Sequence, residues 1–74
     1  MSIGQSIRFR RKSLNITLQT LANQVGADAG NLSRIERGEL GINEIMLRKI
    51  AEALNCTPAY LYTQSEMTQT ALSV

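Results

Sequence analysis

The sequence predicts an all-α fold, a single bundle of five short helices. Its 74 residues are enough for one small domain. Apolar residues recur every three to four positions in successive segments, and no segment shows the alternation typical of a strand. Helix-capping residues separate these segments. Because aromatic residues make up only 4% of the chain, the core is expected to be aliphatic.

The first predicted helix covers about residues 3 to 14. Ile3, Ile7 and Leu14 mark its apolar stripe, which also passes through two arginines, at positions 10 and 11. An arginine on a core-facing stripe must extend its charge to solvent or find a partner. Asn15 is predicted to end the helix.

The second and third helices are predicted to form a helix-turn-helix. Thr17 caps the first of them, which runs to about residue 25, and Gly26 ends it in the left-handed conformation that a residue without a Cβ adopts most easily. Asp28 is the predicted N-cap of helix three, which covers about residues 29 to 37. Two short helices joined in this way form a motif whose second helix can enter a DNA major groove.

A short loop with a glycine at each end follows helix three, and helices four and five come after it. Asn43 is the predicted N-cap of helix four, and the Thr57-Pro58 pair predicts the start of helix five, about residues 58 to 62. The apolar stripe of helix four is predicted to be buried and consists of Leu47, Ile50, Ala51 and Leu54. The domain is expected to cover residues 1–63, with residues 64–74 as a tail or the start of a linker.

Composition excludes several classes of function. The net charge of +2 and the pI of about 9.1 are mildly basic and alone indicate nucleic-acid binding only weakly. The single cysteine, Cys56, cannot form an internal disulfide, fits a cytoplasmic setting and is interpreted as lining the core. Because the chain has no histidine and no catalytic motif, we expect no enzyme activity, no metal, no cofactor and no small-molecule ligand. No membrane segment is expected.

Four segments, in this order and at these separations, resemble the DNA-binding domain of the lambda-like phage repressor, or Xre, family of helix-turn-helix regulators. They are SIRFRRKSLNIT, LANQVGA, NLSRIERG and LRKIAEALNCTPAYL. The resemblance covers residues 3 to about 62. It implies a five-helix lambda repressor-like bundle that binds a pseudo-palindromic operator in double-stranded DNA as a homodimer. The implied function is transcriptional repression in a bacterial or phage setting, and the alternative is a protein-interaction module, an antitoxin or adaptor, that does not read DNA.

The resemblance assigns base contacts to the outer face of helix three. The positions concerned are Ala29, Gly30, Ser33 and Arg34. The Arg34 guanidinium matches the two acceptors of guanine, and the alternative is a salt bridge to Glu36 or Glu39. Ala29 and Gly30 depart from the family, whose members often carry polar residues there. Either their backbone approaches a thymine methyl group closely, or they only let the helix sit deep in the groove.

Phosphate contacts are expected at helix starts and in the loop before helix four. Leu18 stands where the family often carries a phosphate-binding glutamine, and core packing is the alternative role for it. The candidate phosphate-binding residues are Thr17, Gln19, Asn31, Gly41, Asn43 and Arg10. Arg8, Arg10 and Lys12 are open to two interpretations, phosphate contact or solvated charge.

Two further contacts follow from the family's pattern. Relatives pair an arginine at the position of Arg11 with a glutamate at the position of Glu36, which would tie helix one to helix three. A homodimer contact is expected on helix five, at Pro58, Leu61 and Tyr62. The chain is expected to be either the N-terminal domain of a longer repressor or a small complete regulator.

Overall fold

The computed structural model describes residues 2–64, which form five helices and contain no strand. The first four are α1 (Ile3–Ser13), α2 (Leu18–Val25), α3 (Ala29–Glu36) and α4 (Glu44–Ala53). A fifth, α5, covers 58–64 of the described residues. The predicted all-α fold is therefore confirmed. Gln64, expected in the tail, is helical, and the rest of the predicted tail lies outside the described residues.

Every helix begins at a side-chain cap, which explains why the sequence locates the helix starts well. Ser2 and Gln5 form a reciprocal capping box at the start of α1. The predicted caps of α2 to α5 also accept a backbone N–H each, and they are Thr17, Asp28, Asn43 and Thr57. A cap of this kind stabilises a helix by about 1 kcal/mol.

Residues in the left-handed conformation end three of the helices. Asn15 and Asn55 have φ angles of 58° and 56°, and Gly26 has a φ of 69°. Leu14 is expected on the apolar stripe of the first helix, but the helix ends at Ser13 and Leu14 is its C-cap. As the C-cap, Leu14 lies off the stripe and its side chain is 39% exposed.

The core is aliphatic and draws on all five helices. Its fully buried large side chains are Ile7, Leu21, Leu32, Ile50, Leu54 and Leu61. The packing partners are α1 with α3, α2 with α3, and α2 with α4. As a result α3 is held from two sides, and its remaining face is left to solvent.

A glycine that the sequence did not single out sets the distance between α1 and α3. A Cβ on Gly4 would overlap the carbonyl oxygen of Ile35 and lie 2.9 Å from that of Glu36. Only glycine therefore fits where α1 crosses the end of α3. An isolated glycine inside a helical pattern is the signal that could have revealed this close approach.

Candidate nucleic-acid interface

The outer face of α3 is the candidate reading surface. Leu32, Ile35 and Glu36 are buried, so the remaining side chains of the helix point outward. Gly30, Asn31 and Arg34 are exposed, and Ala29 and Ser33 are half-buried. All four residues expected to read bases therefore lie on, or at the edge of, one accessible face.

Arg34 has no ion pair among residues 2–64. The two acids that sequence analysis offered as its partners are engaged elsewhere, since Glu36 pairs with Arg11 and Glu39 lies 3.2 Å from the Arg37 guanidinium. The salt-bridge alternative for Arg34 is therefore wrong. Its guanidinium, with a fork that suits the two acceptors of guanine, is available to a ligand.

The expected pair of Arg11 and Glu36 forms and is buried. Arg11 Nε donates to Glu36 Oε2 at 2.8 Å and Nη2 donates to Oε1 at 3.0 Å, so the contact is bidentate. Arg11 Nη1 also donates to the carbonyl oxygen of Ile16 at 2.9 Å. The guanidinium thus joins α1, the loop before α2 and the last turn of α3, which fixes the end of the candidate reading helix.

The candidate phosphate contacts at the start of α2 are exposed, although their side chains already make local bonds. Thr17 accepts the backbone N–H of Thr20 and also donates to its hydroxyl oxygen at 2.8 Å. Gln19 donates to Asn23 Oδ1 at 3.0 Å. Leu18 packs against the core, which confirms the packing interpretation.

The second group of phosphate candidates surrounds the start of α4. Asn43 Oδ1 accepts the backbone N–H of Met46 at 2.7 Å, and Gly41 precedes it in an exposed stretch of loop. A groove of about 360 Å³ runs between this loop and the turn before α3 and includes Asn31 in its lining. The candidate phosphate-binding residues Asn31, Gly41 and Asn43 all line this groove.

Arg10 lies at the junction of α4 and α5 and not at the helix-turn-helix. Its Nε donates to the carbonyl oxygen of Leu54 at 3.1 Å, its Nη2 donates to that of Asn55 at 3.3 Å, and the guanidinium lies 5.3 Å from the centre of the Tyr60 ring. The expected phosphate contact is therefore replaced by an internal role. A cation at a helix C-terminus and over an aromatic ring is stabilising in both settings. Arg8 and Lys12 are exposed.

The expected homodimer contact needs one correction. Leu61 is 0% exposed and belongs to the core, because it faces inward from α5. Its side chain cannot contact a second copy. Pro58 is half-buried and Tyr62 is 51% exposed, so these two expected contact residues remain accessible.

Cys56 is part of the packed interior. It is half-buried and contacts the core, as predicted. Burial raises the pKa of its thiol, while the Arg10 guanidinium nearby opposes that shift. Across residues 2–64, no group of three acidic, cysteine or histidine side chains is placed to hold a metal ion, and no helix has the length and apolarity to cross a membrane.

Residues 7–61, from α1 to α5, match a family model described as helix-turn-helix. The chain belongs to the helix-turn-helix family. The resemblance to lambda-like and Xre regulators is therefore confirmed. A competence pilus inhibition repressor of Acinetobacter baylyi is 33% identical over 66 residues, which are 89% of this chain and 60% of that protein. Repressor protein C2 of Salmonella phage P22 is 37% identical over 68 residues, or 92% of this chain and 31% of the phage protein.

One solved structure is similar to this chain in its three-dimensional fold as well as in its sequence. The crystal structure of the P22 c2 repressor protein in complex with a synthetic operator matches with a TM-score of 0.76 and 38% identity, over 82% of this chain and 92% of that one. The fold of this helix-turn-helix chain is thus that of a lambda-like repressor domain. The chain spans 60% and 31% of the length of the two curated relatives described above, so the shared fold does not assign the activities of those whole proteins to this chain.

Proposed function

We propose that this helix-turn-helix chain is the DNA-binding domain of a transcriptional repressor that places α3 in the major groove of an operator. The observation that carries the proposal is the exposed face of α3, on which Arg34 has no ion pair among residues 2–64. The similarity to a repressor domain crystallised with an operator supports the same conclusion.

The proposed mechanism separates positioning from reading. The buried Arg11–Glu36 pair and the Gly4 contact hold the end of α3 against α1, so the helix enters the groove at a fixed tilt. Arg34 donates two hydrogen bonds to guanine, which contributes about 1–3 kcal/mol of discrimination. Ser33 sits one position before it and takes the adjacent base or phosphate.

Phosphate contacts come from helix starts, since the loop before α4 contains no lysine or arginine. Backbone amides at the starts of α2 and α4 donate to phosphate oxygens, the backbone of Gly41 allows close approach, and the side chains of Thr17, Gln19, Asn31 and Asn43 assist. Such contacts fix the register of the protein on DNA and carry no sequence information directly. Because Ala29 and Gly30 offer no side-chain hydrogen bonds, DNA shape and bridging water supply part of the specificity.

The proposed assembly is a homodimer on two half-sites about one helical turn, or about 34 Å, apart. Pro58 and Tyr62 on α5 are the proposed contact residues, since both remain accessible. The protein would act in the cytoplasm.

Selection of bound sequences from a random DNA pool tests this function most directly. The expected result is a pseudo-palindrome with a guanine in each half-site, bound with an affinity that falls as salt rises. In the same assay Arg34→Ala should lose about 1–3 kcal/mol on the selected site and little on random DNA. If micromolar protein showed no salt-dependent binding to any duplex, the proposal would fail and a protein-interaction module would take its place.

A further inference from the structure

The first turn of α3 presents a carboxylate and little else. Asp28 is exposed and stands directly before Ala29 and Gly30, whose side chains are a methyl group and a hydrogen atom. The N-terminal residues of a helix in the major groove are those that contact base edges. The carboxylate is therefore the first polar side-chain group at the N-terminal end of α3, the end at which base contacts are expected. The sequence alone indicates only a helix cap at this position.

The carboxylate is held in a defined position. Asp28 Oδ2 accepts the backbone N–H of Asn31 at 3.1 Å. A Cβ placed on Gly30 would lie 2.9 Å from the same oxygen, so a side chain at that position would push the carboxylate aside. Gly30 thus contributes space, and Asp28 contributes a fixed hydrogen-bond acceptor over the first turn of the helix.

The charge of Asp28 has no cationic partner in the part of the chain that the structure describes. The ion pairs there use the carboxylates of Glu36, Glu39 and Glu44. Oδ2 is used by the helix cap, whereas Oδ1 is free to accept a further bond; at a DNA-binding surface, where phosphates repel a carboxylate, that oxygen is favoured only where it meets a donor. In the major groove the donors are the amino groups of cytosine and adenine, whereas guanine and the thymine carbonyl present acceptors.

We propose that Asp28 is a specificity-determining residue that accepts a hydrogen bond from the N4 amino group of a cytosine. This inference rests on the proposed function. Cytosine is favoured over adenine because adenine places its N7 acceptor beside the amino group, facing the second carboxylate oxygen. Asp28 and Arg34 are six residues apart in the chain, about 9 Å along the helix axis, so they meet different base pairs. Each half-site therefore contains a cytosine as well as a guanine.

The test compares sequence selection by the intact chain and two variants, Asp28→Ser and Asp28→Asn. Serine and asparagine are equally good N-caps, so both variants should keep the melting temperature of the parent within a few degrees. Asp28→Ser should lose about tenfold in preference for cytosine at one position and keep the guanine preference of Arg34. Asp28→Asn should shift that position toward adenine, which an amide reads through N6 and N7.

Glu52→Gln is the matched control, because it removes one exposed negative charge on α4 outside the candidate interface. It should leave the selected sequence unchanged. If Asp28→Ser kept the parental cytosine preference, or if Glu52→Gln changed it equally, the assignment of Asp28 would be overturned while DNA binding stood. Absence of salt-dependent binding by the parent would instead overturn the proposed function, and this inference with it.

Discussion

Removing Glu36 should strongly destabilise this protein, because it would leave a buried guanidinium without its counter-charge. The side chains of Arg11 and Glu36 are 10% and 4% exposed. Glu36→Ala removes two of the three hydrogen bonds of Arg11 and leaves only the bond to the Ile16 carbonyl oxygen. Breaking a buried pair in this way costs about 3–5 kcal/mol.

That loss is large relative to the stability of a domain of this size. At about 0.05–0.15 kcal/mol per residue, 74 residues correspond to roughly 4–11 kcal/mol of total unfolding free energy. We therefore expect Glu36→Ala to lose a large share of the unfolding free energy of the parent at 25 °C. Urea denaturation followed by far-ultraviolet circular dichroism measures the loss directly, and the melting temperature reports it independently.

A double variant separates the charge effect from a simple loss of packing. Arg11→Met with Glu36→Leu keeps apolar bulk and leaves no charge unpaired, so it should recover much of the stability lost by either single change. Arg48→Ala is the surface control. It breaks a pair with Glu44 whose side chains are 70% and 78% exposed, and it should cost only about 0.3–0.5 kcal/mol. An unchanged melting temperature in Glu36→Ala would refute the assigned role of the pair.

Three further predictions concern α1 and the thiol. Gly4→Ala should destabilise the fold by about 1–3 kcal/mol in urea denaturation, because the added methyl group would displace the carbonyl of Ile35; a neutral result would contradict the close approach. Ser6→Ala should be neutral or slightly stabilising in the same assay, since the buried Ser6 hydroxyl has no hydrogen-bond partner among residues 2–64; a loss above about 1 kcal/mol would reveal a partner. The raised pKa of the Cys56 thiol lowers its thiolate fraction at pH 8, so a thiol reagent should modify native protein more slowly than urea-unfolded protein, and equal rates would show that the thiol is not protected.

Much of this fold could be predicted from the sequence because its signals are local. The caps Thr17, Asp28 and Asn43 and the left-handed residues Asn15 and Gly26 depend on a few neighbouring backbone groups, so their identity alone locates the helix ends. The buried stripe of α4 follows from its period in the same way. The motif, and with it the face of α3 that points outward, is set by the same local chemistry.

The errors at Arg10, Leu61 and Gly4 involve contacts between distant residues. The guanidinium of Arg10 reaches carbonyl groups 44 and 45 residues away, and Leu61 faces the core only because α5 packs inward. Gly4 was missed for the same reason, since its meaning depends on the carbonyl of Ile35 across the helix crossing. No periodicity within one segment contains such information.

The two ends of α3 are fixed in different ways, and in the proposed complex with DNA each end would hold one reading side chain. Its last turn is bound to α1 by the buried Arg11–Glu36 pair, which sets the tilt of the helix. Asp28 caps its first turn. The carboxylate accepts a hydrogen bond from the Asn31 N–H and occupies the space that a side chain on Gly30 would need. In that complex a wrong base at either end would leave the donor of Arg34 or the acceptor of Asp28 unpaired, which would penalise binding to it.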